Sequence, residues 1–373
     1  MSYRTLLFPF IKQRTRAVTQ SYNPSKLPDR PVSDNVSIYV YDYNATNLHQ
    51  EKLDHVNKCL GYYDSENITW VNVDGIRKED IEKICSHYKV HALLQEDILS
   101  VGQRPKMDEI DNVLFCLLNM LYYNEETGGV EQEQVSIALG SNFVLTFQED
   151  ATRDVFNPIR DKIKLENSKI RQSGPDFLYY SLIDIIVDNY FVVMEHLGER
   201  IELIEEEIIR TSSKQTLNKV NQLRKEMIVL KRNLNPVRDL VGGILRSDSI
   251  LLHERVAKYF KNIYDHIMQA NDLSENYRDM VMSLQDLYLN NVNLKMNEIM
   301  KFLAIVTALL GPATVITGIF GMNFDNMPMI HTNHSFFWVI LIIFSIPIIM
   351  LWFFWKHGWF KKEVTMIDDK DAD

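Results

Sequence analysis

Residues 302–320 read FLAIVTALLGPATVITGIF and run directly into Gly321-Met322-Asn323. This stretch of 19 residues holds no Asp, Glu, Lys or Arg, and a second uncharged stretch, FFWVILIIFSIPIIMLWFFW at 336–355, follows a short loop. Each is close to the ~20 residues that cross ~30 Å of hydrocarbon as a helix. A soluble core helix of that length normally keeps a polar stripe for water. The pattern therefore predicts two membrane spans joined by a glycine-asparagine turn.

The flanking charges predict an orientation. Lys295 and Lys301 precede the first span, Lys356, Lys361 and Lys362 follow the second, and the 321–335 loop has no Lys or Arg. The positive-inside bias places the large N-terminal part and the C-terminal tail in the cytoplasm and the loop outside, in a plasma (inner) membrane. Residues 1–26 contain no apolar run of signal-peptide length, so nothing there directs export. Cys59, Cys85 and Cys116 are scattered without metal-ligand spacing, which suits a reducing compartment. A net charge of −10 disfavours nucleic acid as a partner. No Walker-type glycine-lysine loop and no Ser/His/Asp or paired-carboxylate constellation can be picked out, so the expectation is a protein that is not an enzyme.

Working toward the N terminus, 255–301 takes a helical period that runs into the first span without a break. Helix from about 255 to 320 would be on the order of 100 Å long at 1.5 Å per residue, and would need partners along its course. A bundle or homo-oligomer follows. Residues 175–254 also read as helical. From 36 to 174 the chain predicts a cytoplasmic α/β domain with a mixed or mostly antiparallel sheet: strand-like runs at Val36–Tyr41, Ile68–Val73, Asn112–Tyr123, Gln134–Leu139 and Phe143–Gln148, helical ones at Lys78–Tyr88 and Ala92–Leu99. Residues 1–35, broken by Pro24, Pro28 and Pro31, read as an arm, and 356–373 as a basic then acidic tail.

On the long helix Asp286, Asn290, Asn293 and Asn297 are spaced four, three and four apart and so share one face. At the same mean spacing the stripe continues through Met300, Leu303, Thr307, Gly311, Thr314 and Gly318 toward Asn323. Small residues in a membrane helix also serve close helix packing, and on composition alone that alternative stands. The polar run outside the membrane, carried on in phase, weighs toward a pore. Several copies around an axis would make rings of Asp286 and asparagine amides that attract cations, an apolar constriction at Met300 and Leu303, and a hydroxyl-lined upper pore.

Gly321-Met322-Asn323 between two spans, with Phe320 before it, Phe324 after it and Met327-Pro328 following, resembles the CorA family of magnesium transport proteins. Glu96-Asp97-Ile98-Leu99, Gln103-Arg104-Pro105, Phe147-Gln148-Glu149, Tyr180-Ser181-Leu182-Ile183-Asp184 and Tyr264-Asp265-His266 also resemble family sequence, so the likeness covers most of 65–355. The resemblance implies a funnel-shaped homopentamer in which an N-terminal cytoplasmic α/β domain feeds a stalk helix (255–301), a pore-lining span (302–320) and an outer span (336–355). It implies a ring of Asn323 amides, with Gly321 and Met322, holding hydrated Mg2+ at the outer mouth. It further implies a regulatory Mg2+ between cytoplasmic domains at Asp97 and Asp265, with Glu96, Asp184 and His266 as weaker candidates for a second site. One departure is Met329-Ile330 where the family loop carries Glu-Leu, which leaves Asp325 as the outer acid.

The function expected is passive influx of Mg2+ down its electrochemical gradient, closed by cytoplasmic Mg2+. A sibling expectation is transport of Co2+, Ni2+ or Zn2+ through the same architecture, although an intact Met322 argues against the zinc branch. A rival of another class is a membrane-tethered metal sensor or scaffold without transport. The partners implied are further copies of the chain, membrane lipid and divalent cations.

Overall fold

A computed structural model describes residues 36–150, 154–322 and 334–360. The chain forms two units, Met1–Tyr288 and Leu289–Asp373. The expected arm at 1–35 and the acidic end of the tail lie outside the described residues.

The first unit is built on a seven-stranded sheet: β1 (Ser37–Tyr43), β2 (Leu48–Leu53), β3 (Ile68–Asp74), β4 (Lys106–Ile110), β5 (Val113–Asn124), β6 (Gly129–Leu139) and β7 (Phe143–Gln148). Their order is β2-β1-β3-β7-β6-β5-β4, and β3 with β7 is the parallel pair in an otherwise antiparallel ladder. The mixed sheet is as expected, but β2 and β4 are strands that the sequence pattern does not announce. They are the two edges, and their charged compositions, LHQEKL and KMDEI, discourage pairing with another chain.

One face of the sheet carries α1 (Lys78–His87), α2 (Ala92–Leu99) and a 3-10 turn at Val56–Tyr62. Ile81, Ile84 and Cys85 fall on one stripe of α1 and close, with Leu94 and Ile98 of α2, over Val71, Val73, Phe115 and Phe147. Glu79 and Asp80 in the first turn of α1 and His87 in its last suit the helix dipole. Elsewhere Trp70 stacks on Tyr41 at 5.0 Å and meets Phe156 edge-on at 6.1 Å, just before α3 (Asn157–Lys164). The parallel β3–β7 register sets Asn72 beside Thr146 and Asp74 beside Gln148. Trp70 Nε1 donates to Thr146 Oγ1 (3.0 Å), Thr146 to Asn72 Oδ1 (2.6 Å), and Asn72 and Gln148 both to Asp74 Oδ1 (2.8 and 2.5 Å). Burial raises the Asp74 carboxyl above the usual carboxylate range. A buried polar chain of this kind is tolerated because its members largely satisfy one another, with Gln148 Oε1 left without a partner among the described residues.

Three long helices follow in this unit: α4 (Pro175–Arg210), α5 (Lys214–Arg246) and the start of α6 (Glu254–Phe320). By length and composition α4 could itself cross a membrane, yet 56% of its apolar window is buried in protein, against 6% for α6 and 0% for α7 (Ser335–Lys356). It lies on β5, where Asn189 Nδ2 donates to the Leu121 carbonyl (2.6 Å) and the Tyr190 hydroxyl to that of Asn119 (2.6 Å). The Asn119 amide donates in turn to Asn233 Oδ1 on α5 (2.8 Å). Asp176, buried in the first turn of α4, accepts the His253 backbone N–H (3.0 Å) and sits 2.9 Å from His253 Nδ1, which pins the entry to α6.

The second unit holds the rest of α6 together with α7. Phe302, Val315 and Ile319 on α6, and Phe336, Trp338, Phe344 and Trp355 on α7, are exposed. Soluble proteins rarely show so much contiguous apolar surface, whereas lipid matches it. The span hydroxyls satisfy themselves locally: Thr307, Thr314 and Thr317 donate to the carbonyls of Leu303, Leu310 and Ala313. Cys59, Cys85 and Cys116 are free and buried, and burial pushes each thiol up to about 12.

Candidate functional site

Carboxylates near the α2–β4 connection form the first candidate. Asp97, near the C-terminal end of α2, is met by Lys106, the first residue of β4, with Lys106 Nζ 2.6 Å from Asp97 Oδ2 and 3.1 Å from Asp108 Oδ2. Partial burial opposes the lysine's charge, but hydrogen bonds to the two carboxylates outweigh it and hold Lys106 above the ordinary lysine range. The Asp97 backbone carbonyl also accepts from Gln134 Nε2 (3.2 Å). Within one chain Asp97 thus answers to Lys106 and not to Asp265. Asp265 is exposed on α6 with no hydrogen bond or ion pair to another described residue, and Glu96 is exposed on α2.

The second candidate lies where α4 faces α6. Asp184 and Asp188, one turn apart on α4, and His266 on α6 place their ligand atoms within 4.8 Å of one another. His266 Nδ1 is 3.6 Å from Asp188 Oδ1, and its Nε2 is 3.2 Å from the Asn262 amide. The Tyr180 hydroxyl donates to Asp184 Oδ2 (2.9 Å), while Asp184 Oδ1 and His266 Nδ1 are buried without a hydrogen-bond partner. Burial is the main cause of a raised Asp184 carboxyl; the Tyr180 hydroxyl pulls the other way, and the Asp188 charge adds to the rise. Two carboxylates and an imidazole with unused lone pairs can hold a divalent cation, and the imidazole extends the range from Mg2+ to Co2+ or Ni2+. The structure thus joins Asp184 and His266, both picked out in the sequence, to Asp188, which was not. Its signal was the i, i+4 spacing from Asp184. Glu96 is not in this group.

A thermal measurement tests that arrangement. A carboxyl whose folded-state pKa is raised above its unfolded value favours folding below the unfolded pKa, and loses that contribution as pH rises through the folded one. Asp184→Asn, which keeps an acceptor for Tyr180, is therefore expected to raise the Tm of the metal-free protein at pH 7 by a few degrees. The same change should remove the Tm increase given by millimolar Mg2+ or Co2+ in this unit. A lowered metal-free Tm with the metal response intact would show that the cluster is not a cation site.

The third candidate is the stripe on α6. Asp286, Asn290, Asn293, Asn297, Met300, Leu303, Thr307, Thr314 and Gly318 are exposed, and Gly311 is half-buried. A Cβ added at Gly311 or Gly318 would meet nothing within 4 Å, so neither glycine is required for packing inside one chain. Their faces are left for a neighbouring helix or for water. At the end of the helix the Gly321 N–H donates to the Thr317 carbonyl (2.9 Å) and that of Met322 to Ile319 (3.3 Å). Asn323 and Asp325 lie outside the described residues.

Comparison with known proteins draws these features together. Residues 65–361 match the family described as CorA-like Mg2+ transporter protein. The chain is 36% identical over 327 residues to the cobalt/magnesium transport protein CorA of Thermotoga maritima, covering 87% of this chain and 93% of that one. It is 22% identical over 311 residues to the protein of the same description in Methanocaldococcus jannaschii, covering 83% and 95%. The complete structure of the CorA magnesium transporter from Methanocaldococcus jannaschii aligns with a TM-score of 0.71 at 22% identity, over 88% of this chain and 100% of that chain. At that identity the structural likeness speaks for the fold. Since the sequence match runs from the sheet through both exposed apolar helices, and is not confined to one domain, the chain belongs to the CorA-like Mg2+ transporter protein family.

Proposed function

We propose that the protein is a homopentameric Mg2+ channel of the plasma membrane, with both termini cytoplasmic, that admits Mg2+ passively and is closed by cytoplasmic Mg2+. The observation that carries this reading is the exposed stripe of α6, a face that packing within one chain leaves uncovered. Five such faces around an axis would line a path with Asp286 and the amides of Asn290, Asn293 and Asn297 below, and with Thr307, Gly311, Thr314 and Gly318 above. No Lys or Arg lies among these positions, so the path suits cations. An inward-negative potential of 100 mV contributes about 4.6 kcal/mol per divalent ion, so entry needs no ATP.

At the outer mouth, Asn323 amides would bind the water shell of Mg2+ without stripping it, which suits an ion that dehydrates reluctantly. Regulation would use Asp97 of one copy and Asp265 of the next. Cytoplasmic Mg2+ replaces Lys106 at Asp97 and bridges to the unpartnered Asp265, stabilising the closed assembly. The Asp184–Asp188–His266 group is proposed as a second cation site beside it. Its imidazole supports a second reading, in which Co2+ or Ni2+ is also handled.

The test is Mg2+ flux into proteoliposomes with internal Mg2+ varied. Influx that falls as internal Mg2+ rises supports the proposal; a folded, oriented protein with no divalent flux under any condition points to a tethered sensor or scaffold. The apolar constriction gives a further prediction. Leu303→Asn is expected to increase influx several-fold at inhibitory internal Mg2+, because a ring of amides stays wet where a ring of leucines excludes water. Unchanged inhibition would remove Leu303 from the gate.

A further inference from the structure

Between the approach to β4 and the outer side of α5, wholly within the first unit, lies a cleft of about 600 Å³. Four cationic side chains line it: Arg104 and Lys106 from the β4 side, Lys231 and Arg232 from α5. The one carboxylate in the lining, Asp239, is held by Arg238, whose Nε and Nη2 lie 3.1 and 2.9 Å from Asp239 Oδ1. Lys231 is paired with Glu275, and Lys106 with Asp97 and Asp108. Arg104 and Arg232 are both exposed and make no hydrogen bond or ion pair with any other described residue. Two unpaired guanidinium groups at one cleft, in a chain of net charge −10, form a local positive site. Guanidinium forks match phosphate oxygens in pairs, and Arg is the usual choice for such recognition.

The cleft is much larger than a phosphate ion, and apart from the Asn235 amide its remaining wall is apolar. Pro105, Met107 and Leu240 contribute to it, and Gly243 borders it, where an added Cβ would begin 3.2 Å from the Met107 methyl. Small-molecule sites commonly span ~300–1,000 Å³ with an apolar lining and a few placed polar groups. A ligand with an anionic end and a larger body carrying apolar surface fits that description. We propose that the cleft binds a nucleoside phosphate, whose phosphates engage Arg104 and Arg232 and draw Lys106 away from Asp97.

Lys106 belongs to both places, which makes the two sites one system. An anion that recruits the lysine frees the Asp97 carboxylate for Mg2+, and Mg2+ at Asp97 releases the lysine toward the cleft. By linkage each ligand strengthens the other by the same factor. Only this coupling rests on the proposed role of Asp97 in regulation; the binding of the nucleotide does not.

Equilibrium binding of radiolabelled ATP to the full-length protein in detergent, with EDTA and at fixed ionic strength, tests both parts without metal or flux. Saturable binding is expected, weakened roughly tenfold or more by each of Arg104→Ala and Arg232→Ala. Asp97→Asn is expected to tighten ATP binding several-fold by releasing Lys106. Absence of saturable binding by the folded protein, or binding indifferent to both arginine variants, overturns the site. Pyrophosphate bound as tightly as ATP overturns the role of the apolar wall, and an unchanged affinity in Asp97→Asn overturns the shared lysine. If ATP behaves as expected while Asp97→Asn leaves internal Mg2+ inhibition of flux untouched, the regulatory role of Asp97 falls and the cleft stands.

Discussion

Alanine at Asn323 is expected to cut Mg2+ influx at low external Mg2+ by on the order of a hundredfold or more. Each amide that hydrogen-bonds the ion's water shell contributes ~0.5–1.5 kcal/mol. In the proposed pentamer five copies together would lose several kcal/mol, and every 1.4 kcal/mol is about tenfold in occupancy. The measurement is initial influx in proteoliposomes against external Mg2+. Influx should recover partly at high Mg2+, because the change removes capture and leaves the conduit in place. Asn323→Asp gives the complementary result: carboxylates hold the ion more tightly and release it more slowly, so half-saturation moves to lower Mg2+ while maximal influx falls. Influx unaffected by either change would show that selection happens elsewhere, and would favour the helix-packing view of the α6 stripe.

Asp265→Lys is expected to abolish inhibition by internal Mg2+. The change deletes an unpartnered carboxylate and sets an ammonium where the bridging cation would bind. A charge-assisted contact is worth ~1.5–3 kcal/mol, and the proposed pentamer would lose five of them. That exceeds the ~5.5 kcal/mol needed to turn a 99:1 excess of closed over open into the reverse. Influx should then be the same at zero and at high internal Mg2+, with the external dependence set by Asn323 unchanged. Retention of full inhibition would move the sensor to the Asp184–Asp188–His266 group or out of the first unit altogether.

The parts of the fold legible in the sequence are those where one physical demand dominates. Uncharged runs of membrane length announce α7 and the end of α6, and the 3.6-residue spacing of Ile81, Ile84 and Cys85 announces α1. The edge strands β2 and β4 escape the periodic pattern because their sequences, LHQEKL and KMDEI, answer to protection from mispairing and not to core burial. The β6 strand begins at Gly129, earlier than its apolar segment from Gln134, because Glu131 and Glu133 find partners in Asn124 and Tyr122 across the ladder. At the sites, Asp97 and Asp265 stood out through likeness to a family. Lys106 did not, since nothing in a one-dimensional pattern says that the first residue of an edge strand reaches back to a helix end. Asp188 was readable from spacing alone, once Asp184 was taken as a ligand.

The three buried cysteines have a practical consequence. Thiols pushed up to about 12 and shut away from solvent carry almost no thiolate near neutral pH, so soluble alkylating reagents should pass them by. Single cysteines introduced along α6 can therefore be read against a silent native background. Modification rates at positions 290, 293, 297, 307 and 314, taken with and without Mg2+ in an otherwise unaltered protein, would map which side of the helix faces water and how far reagents penetrate.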